Sequence, residues 1–279
     1  MRFLVFCLLL ALICCCQSLA AEEPADAARS GESTPEINIQ RIEMMTEVAG
    51  KYELTLDSGE PLQVIPDPLL KWSNPILRTH AGSVFLWTYQ SRPQAVVGMF
   101  TSYGDVDHEW QTICETGLTA KFDGKTLWNP RTGIQWNAID GNSEIAPSAA
   151  LRMVQMRAIA RKFSVEIGSA KKSTPLRMLT QPLYSYESPA ADVLTGGVFG
   201  FVNATDPELL LCLEARTIGS KQQWYYTVAR MTSTRITVKY QDNVVTTIDP
   251  WDWKKDPEKP FIAFRRLWDG SEFISKRNR

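Results

Sequence analysis

The residues point to an α+β fold, predominantly antiparallel β, in which two diverged copies of a helix plus a five- to six-stranded antiparallel unit form a sandwich or a curved barrel. Three observations carry this. With the chain slid by 114 positions against itself, residues 61 to 114 align without gaps on 175 to 228, and ten of the 54 pairs are identical. The matches include four prolines (Pro61, Pro68, Pro75 and Pro93 with Pro175, Pro182, Pro189 and Pro207) and Trp110 with Trp224. Ahead of each aligned block lies a stretch with helical spacing, and within each block short runs of β-branched and aromatic residues are separated by Pro, Gly, Asn and Asp.

In chain order, Arg2 followed by an apolar run to Cys16 and then Ser18, Leu19, Ala20 and Ala21 has the order of a secretory signal, with cleavage near Ala20 or Ala21. The run is shorter than the roughly 20 apolar residues of a permanent span. Residues 1–20 therefore read as a signal peptide, and no later stretch is apolar enough to cross a membrane, so the expected location is secreted or periplasmic. Residues 21–37, rich in Ala, Glu, Ser and Pro, read as a disordered leader. Four of the six cysteines leave with the signal, so Cys114 and Cys212 remain, either as one possible disulfide in an oxidising compartment or as two buried thiols.

The first copy spans 38–147 and the second 148–268, with 269–279 a polar C-terminal tail. Each opens with a helix: one near Glu36 to Val48, and a second after a Ser148 cap. The second carries a stripe of Leu151, Val154, Met156, Ile159, Ala160 and Phe163, with arginines largely opposite. Strands follow at Tyr52 to Leu56 and Phe163 to Ile167, then at Gly82 to Tyr89 and Gly196 to Val202. Turns fall at Arg92-Pro93 and Asp206-Pro207, and Trp110 and Trp224 begin the next strands. Asp123-Gly124 and Gln241-Asp242 complete tight turns into the last ones.

The phrases Val154 to Phe163, Gln181 to Glu187 and Ala229 to Ser233 resemble those of uncharacterised exported proteins of planctomycete-type bacteria. The resemblance covers most of the mature chain and implies export, with no activity or site residue to carry over.

Charge excludes some classes. With Arg2 removed, 29 basic residues stand against 31 acidic, a net of −2, which is not the footprint of a nucleic-acid binder. No P-loop, dinucleotide fingerprint, G-x-S-x-G elbow, C-x-x-C pair or H-E-x-x-H motif is present, so no cofactor is expected. Two local constellations are candidates. Asp105, Asp107, His108 and Glu109 place three carboxylates and an imidazole within five residues, a set that suits a metal ion, although a solvated hairpin tip explains them as simply. Trp251 and Trp253, in a loop with Pro250 and Pro257, offer flat apolar platforms for a ligand, or else one of them plugs the end of the β core. The expected function is a non-catalytic envelope or extracellular binding and scaffold protein, its partner a polymer, lipid or another exported protein. The alternative is a secreted hydrolase using dispersed carboxylates, which leave no local spacing.

Overall fold

The computed structural model describes residues 33–77, 79–102, 105–140, 144–169, 171–266 and 273–274. The segment read as a signal peptide and most of the segment read as a leader lie outside the described residues.

The first half begins with helix α1 (Pro35–Gly50). Thr34 starts it: its hydroxyl accepts from the Ile37 amide, and Pro35 occupies a position where a missing N–H costs nothing. The leader expected to run to residue 37 thus gives way to helix at Pro35, and Ile37 is already buried. The strands follow as β1 (Tyr52–Leu56), β2 (Gln63–Val64), β3 (Leu70–Asn74), β4 (Thr79–Tyr89), β5 (Arg92–Ser102), β6 (Asp105–Thr112), β7 (Leu118–Phe122), β8 (Lys125–Trp128) and β9 (Asn137–Ala138).

The order of α1 to β8 recurs in the second half with one added strand, Lys172–Pro175. Helix α2 (Ala149–Ala160) is followed by β10 (Phe163–Ser169), β11 (Lys172–Pro175), β12 (Arg177–Met178), β13 (Tyr184–Ser188), β14 (Val193–Asn203), β15 (Asp206–Ile218), β16 (Lys221–Arg230), β17 (Ile236–Tyr240), β18 (Asn243–Ile248), β19 (Phe261–Arg266) and β20 (Phe273–Ile274). Ser148 caps α2 through the Leu151 amide as its position in the sequence predicts. The helix buries a narrower stripe than the sequence pattern implies. Met156, Ile159 and Ala160 are in the core, whereas Leu151 and Val154 are largely exposed because only the last two turns meet the sheet.

Among the described residues four antiparallel sheets form, and none closes into a barrel. The two large sheets, β2-β4-β5-β6-β19-β20 with β3 beside β4, and β12-β14-β15-β16-β9 with β13 beside β14, pack face to face. Their shared core holds Val84, Leu86 and Val96 against Val198, Leu210 and Cys212. The outer face of the first large sheet is covered by α1 and the small sheet β1-β7-β8, and that of the second by α2 and the sheet β11-β10-β17-β18. Strands covered on both faces must be apolar at nearly every position, which explains why β15 reads Leu209-Leu210-Leu211-Cys212-Leu213 without alternation. Period-two geometry sends Leu209, Leu211 and Leu213 outward to the α2 side and Leu210 and Cys212 to the central layer.

The last strand of each half completes the sheet of the other. β9, from the first half, pairs with β16, and β19, from the second, pairs with β6. The registers correspond: Ile262 lies opposite Trp110, and the Ile139 amide bonds the Trp224 carbonyl at 2.8 Å. Trp128 locks the exchange by donating its indole N–H to the Lys259 carbonyl at 2.9 Å. Within the segment read as a polar tail, Phe273–Ile274 pairs with Arg265 and Arg266 as β20.

The hairpin tips dock reciprocally as well. At the β4–β5 tip, Gln90 and Ser91 both take the left-handed backbone of a type I′ turn, and their carbonyls accept from Ser188 Oγ at 2.9 Å and Tyr184 OH at 3.0 Å. At the β14–β15 tip Thr205 Oγ1 donates to the Ser73 carbonyl on β3. Pro93 and Pro207 sit one residue into the returning strands, beside register shifts that accommodate the missing amide hydrogens.

Candidate functional site

The polar groups between the two large sheets lie in two places, one under each hairpin tip. Under the β4–β5 tip is a closed ion network. Glu214, with no exposed surface, accepts from Arg92 at 2.9 and 3.1 Å, from Tyr186 OH at 2.6 Å and from Arg216. Glu115 then receives Arg92 at 2.7 Å and Arg216 at 3.0 Å. The Arg216 guanidinium lies 4.3 Å from the Trp136 ring and that of Arg92 5.4 Å from it. Burial works against the charge on Arg92, but Glu214 and Glu115 outweigh it and hold the guanidinium firmly protonated. Two cations meet two anions, and their main hydrogen-bonding capacity is used within the group. This is an architectural clamp between the halves.

Under the β14–β15 tip the corresponding space is open. Residues 114 positions from Arg92, Tyr186 and Glu214 are Asp206, Trp72 and Phe100, and all three line a cavity of about 270 Å³ together with Glu109, Glu208 and Met231. The cavity draws on both halves: Trp72 from β3, Phe100 from β5 and Glu109 from β6 face Asp206 and Glu208 from β15. Trp72 and Phe100 are inclined to one another at 6.3 Å. Trp72 is pinned by Gly82, where a Cβ would fall inside the indole, as Tyr186 is pinned by Gly196. The Trp72 indole N–H is buried and has no protein acceptor.

Its electrostatics are unbalanced. Asp206 is pushed up to about 7 by burial and by the charge of Glu208 two residues on. Glu208 is raised by burial, with Thr232 and Asn203 hydrogen bonds opposing. Neither forms an ion pair among the described residues. Glu109 has a cation within electrostatic reach in Arg230. The Arg230 guanidinium is itself held by the carbonyls of Thr232, Asp249 and Thr234 at 2.8, 3.0 and 3.1 Å.

The sequence-level candidates fall elsewhere or are divided. Asp105, Asp107, His108 and Glu109 form one strand, β6, not a hairpin tip, so alternation sends His108 to one face and Asp107 and Glu109 to the other. His108 is buried among the α1-side core, 3.1 Å through Nδ1 from Tyr52 OH and stacked on Phe264. Burial and the nearby Arg266 charge push it down to about 3. Asp107 receives a two-point bond from Arg265 at 3.1 and 3.0 Å, which ties β19 to β6. Among the described residues no group of three His, Cys, Asp or Glu side chains could hold a metal ion.

Cys114 and Cys212 are unbridged, buried thiols in different cores. Cys212 lies on β15, and Cys114 lies just past β6, where its Sγ donates to the Thr116 carbonyl at 2.7 Å. Burial raises both thiols, so neither is an activated nucleophile. Trp251 and Trp253 are inclined to each other at 53° with ring centroids 5.0 Å apart, and Trp251 meets Phe261 edge-on at 5.6 Å, while Trp253 stays 46% exposed. One ring therefore packs on β19 and the other faces outward. Glu109 is the one residue of the predicted sets that reaches the cavity.

Trp72, Phe100, Asp206 and Glu208 carry no motif. The signal that could have found them is the exchange of Arg92 for Asp206 at matched positions of the aligned blocks, a reversal of charge at a position that is half-buried in both.

No family model matches the chain, no curated protein matches it, and no solved structure matches it. No described helix is long and apolar enough to cross a membrane.

Proposed function

We propose that this is an exported ligand-binding protein made of two diverged copies of one α+β unit, with its ligand seated in the cavity between them. The observation that carries the reading is the contrast between the two hairpin tips: one is filled by an ion network of two cations and two anions, the other is a cavity with two carboxylates that form no ion pair among the described residues. Buried charges without partners cost stability, and proteins retain them where a ligand uses them. At about 270 Å³ the cavity lies just below the roughly 300–1,000 Å³ range of drug-sized sites, so the occupant is small. Export rests on the amino-terminal signal pattern, and the planctomycete-type resemblance agrees with it.

A second reading has one specific support. A carboxyl held near 7 beside another is suited to general acid or base work, so Asp206 with Glu208 is the pair a hydrolase would use.

A thermal-shift screen of small metabolites, run beside a panel of glycosides, esters and peptides, separates the two. The binding reading expects stabilisation by at least one small molecule, lost in Thr234→Trp, whose exposed rim position lets an indole cover the opening. Turnover abolished by Asp206→Asn would replace it with the hydrolase, and silence on both panels would remove the cavity as the functional site.

A further inference from the structure

Resting on that binding reading, we propose that the ligand is a small organic cation, a primary ammonium or guanidinium on a short aliphatic stem, held by Asp206 and Glu208 between Trp72 and Phe100.

The molecule supplies its own comparison. Under the β4–β5 tip, the buried carboxylate Glu214 is satisfied by the guanidinium groups of Arg92 and Arg216, and aromatic rings of Trp136 and Tyr225 lie 4.3 and 5.1 Å from the Arg216 guanidinium carbon. Under the β14–β15 tip the position matched to Arg92 is Asp206. The position matched to Glu214 is Phe100, so that site has carboxylates of its own, Asp206 and Glu208, beside aromatic walls, with no guanidinium ion-paired to them among the described residues. A cationic ligand restores both interactions at once, by charge-assisted hydrogen bonds to the carboxylates and by cation–π contact with Trp72 or Phe100. Among the described residues the charged groups around the cavity are Asp206, Glu208 and Glu109, with Arg230 within electrostatic reach of Glu109, and three of the five N–H donors of Arg230 go to backbone carbonyls. The formal balance when all are ionised is three negative against one positive. An anion would be repelled by Asp206 and Glu208, and a neutral ligand would leave Glu208 with its Thr232 and Asn203 hydrogen bonds and Asp206 beside Glu208, with no cation to offset either charge. The Trp72 indole N–H, buried and without an acceptor in the protein, suits a cation that also carries a hydroxyl or carbonyl oxygen.

The test uses the purified protein in calorimetric titrations at pH 8 with agmatine and n-butylammonium, and with n-butanol and butyrate as neutral and anionic counterparts of the same stem. The cations are expected to bind at least about tenfold more tightly than n-butanol, with butyrate silent. Asp206→Asn and Glu208→Gln should each weaken agmatine at least about fivefold while leaving the melting temperature unchanged or higher, since each removes a buried charge. Carbodiimide modification of Asp206, followed by mass spectrometry, should be blocked by agmatine, which keeps the idea falsifiable if a variant fails to fold. Butanol binding as tightly as the cations, or agmatine affinity unchanged in both variants, overturns the cationic class while the binding reading stands. If none of the four probes binds and a broad neutral panel is also silent, both fail together.

Discussion

Arg92 and Asp206 are the first residues of the returning strands of two equivalent hairpins, yet Arg92 is ion-paired to Glu214 at 2.9 Å while Asp206 has Glu208 for its charged neighbour. With this difference go an ion-paired clamp on one side of the molecule and an acidic cavity on the other.

Removing the centre of the clamp should be costly. Glu214→Leu leaves Arg92 and Arg216 sharing only Glu115, and loss of one partner of a buried ion pair costs about 3–5 kcal/mol. Tyr186→Phe, which deletes one of the donors to Glu214, should cost about 1–3 kcal/mol. Urea unfolding of both variants checks the order, and a Glu214→Leu protein as stable as the parent would show that the network is not holding the halves together.

The pH dependence has two opposing sources. Asp206 is raised from 3.8 to about 7, so the folded state holds its proton between about pH 4 and 7 while the unfolded chain has lost it. Its contribution to stability therefore falls as pH rises through that window. His108 is depressed from 6.5 to about 3, so the unfolded chain takes up a proton first and stability falls as pH drops from about 6.5. Asp206→Asn should steepen the acid-side loss and raise stability near neutrality. His108→Gln should leave a protein that becomes more stable on mild acidification. Urea midpoints between pH 4 and 8 report both slopes, and parallel curves for all three proteins would refute the assignments.

The exchanged strands make folding a single event. Ile262, opposite Trp110, and Ile139, bonded to Trp224, each lie in the core of the half to which they do not belong in sequence. Truncating either to Ala should cost about 2–5 kcal/mol and shift one cooperative transition as a whole. Two separable transitions, with only one moved by each variant, would contradict the exchange.

Gly82 and Gly196 lie under Trp72 and Tyr186 with no room for a methyl group. Gly82→Ala should push Trp72 off β4 and disturb the cavity, lowering the melting temperature. Gly196→Ala should instead loosen the Tyr186 bond to Glu214. A circular dichroism melt of each suffices, and an unshifted Gly82→Ala would mean the indole is not seated as described.

What could be read in the sequence was local and periodic. The Ser148 cap, the I′ turns at Asp123-Gly124 and Gln241-Asp242, and the strand pairs around them depend on residues near each other in the chain. The apolar stripe of the second helix overreached at Leu151 and Val154, because periodicity reports a face but not where the sheet beneath it ends. The run Asp105 to Glu109 looked like one cluster since sequence proximity hides the alternation of a strand, which sends His108 into the α1-side core while Asp107 meets Arg265 and Glu109 reaches the cavity. The cavity was hidden because its parts come from β3, β5, β6 and β15, more than 130 residues apart from Trp72 to Glu208. The strand exchange was hidden for the same reason: no local pattern says which of two similar sheets β9 or β19 will join.

The most direct measurement is the titration of the Asp206 carboxyl by carbon-13 NMR, with and without agmatine. The cavity described here predicts a midpoint near 7 in the free protein, falling below about 6 at saturating agmatine as the bound cation stabilises the ionised form. A midpoint near 4 in the free protein, or one that agmatine leaves in place, would contradict it.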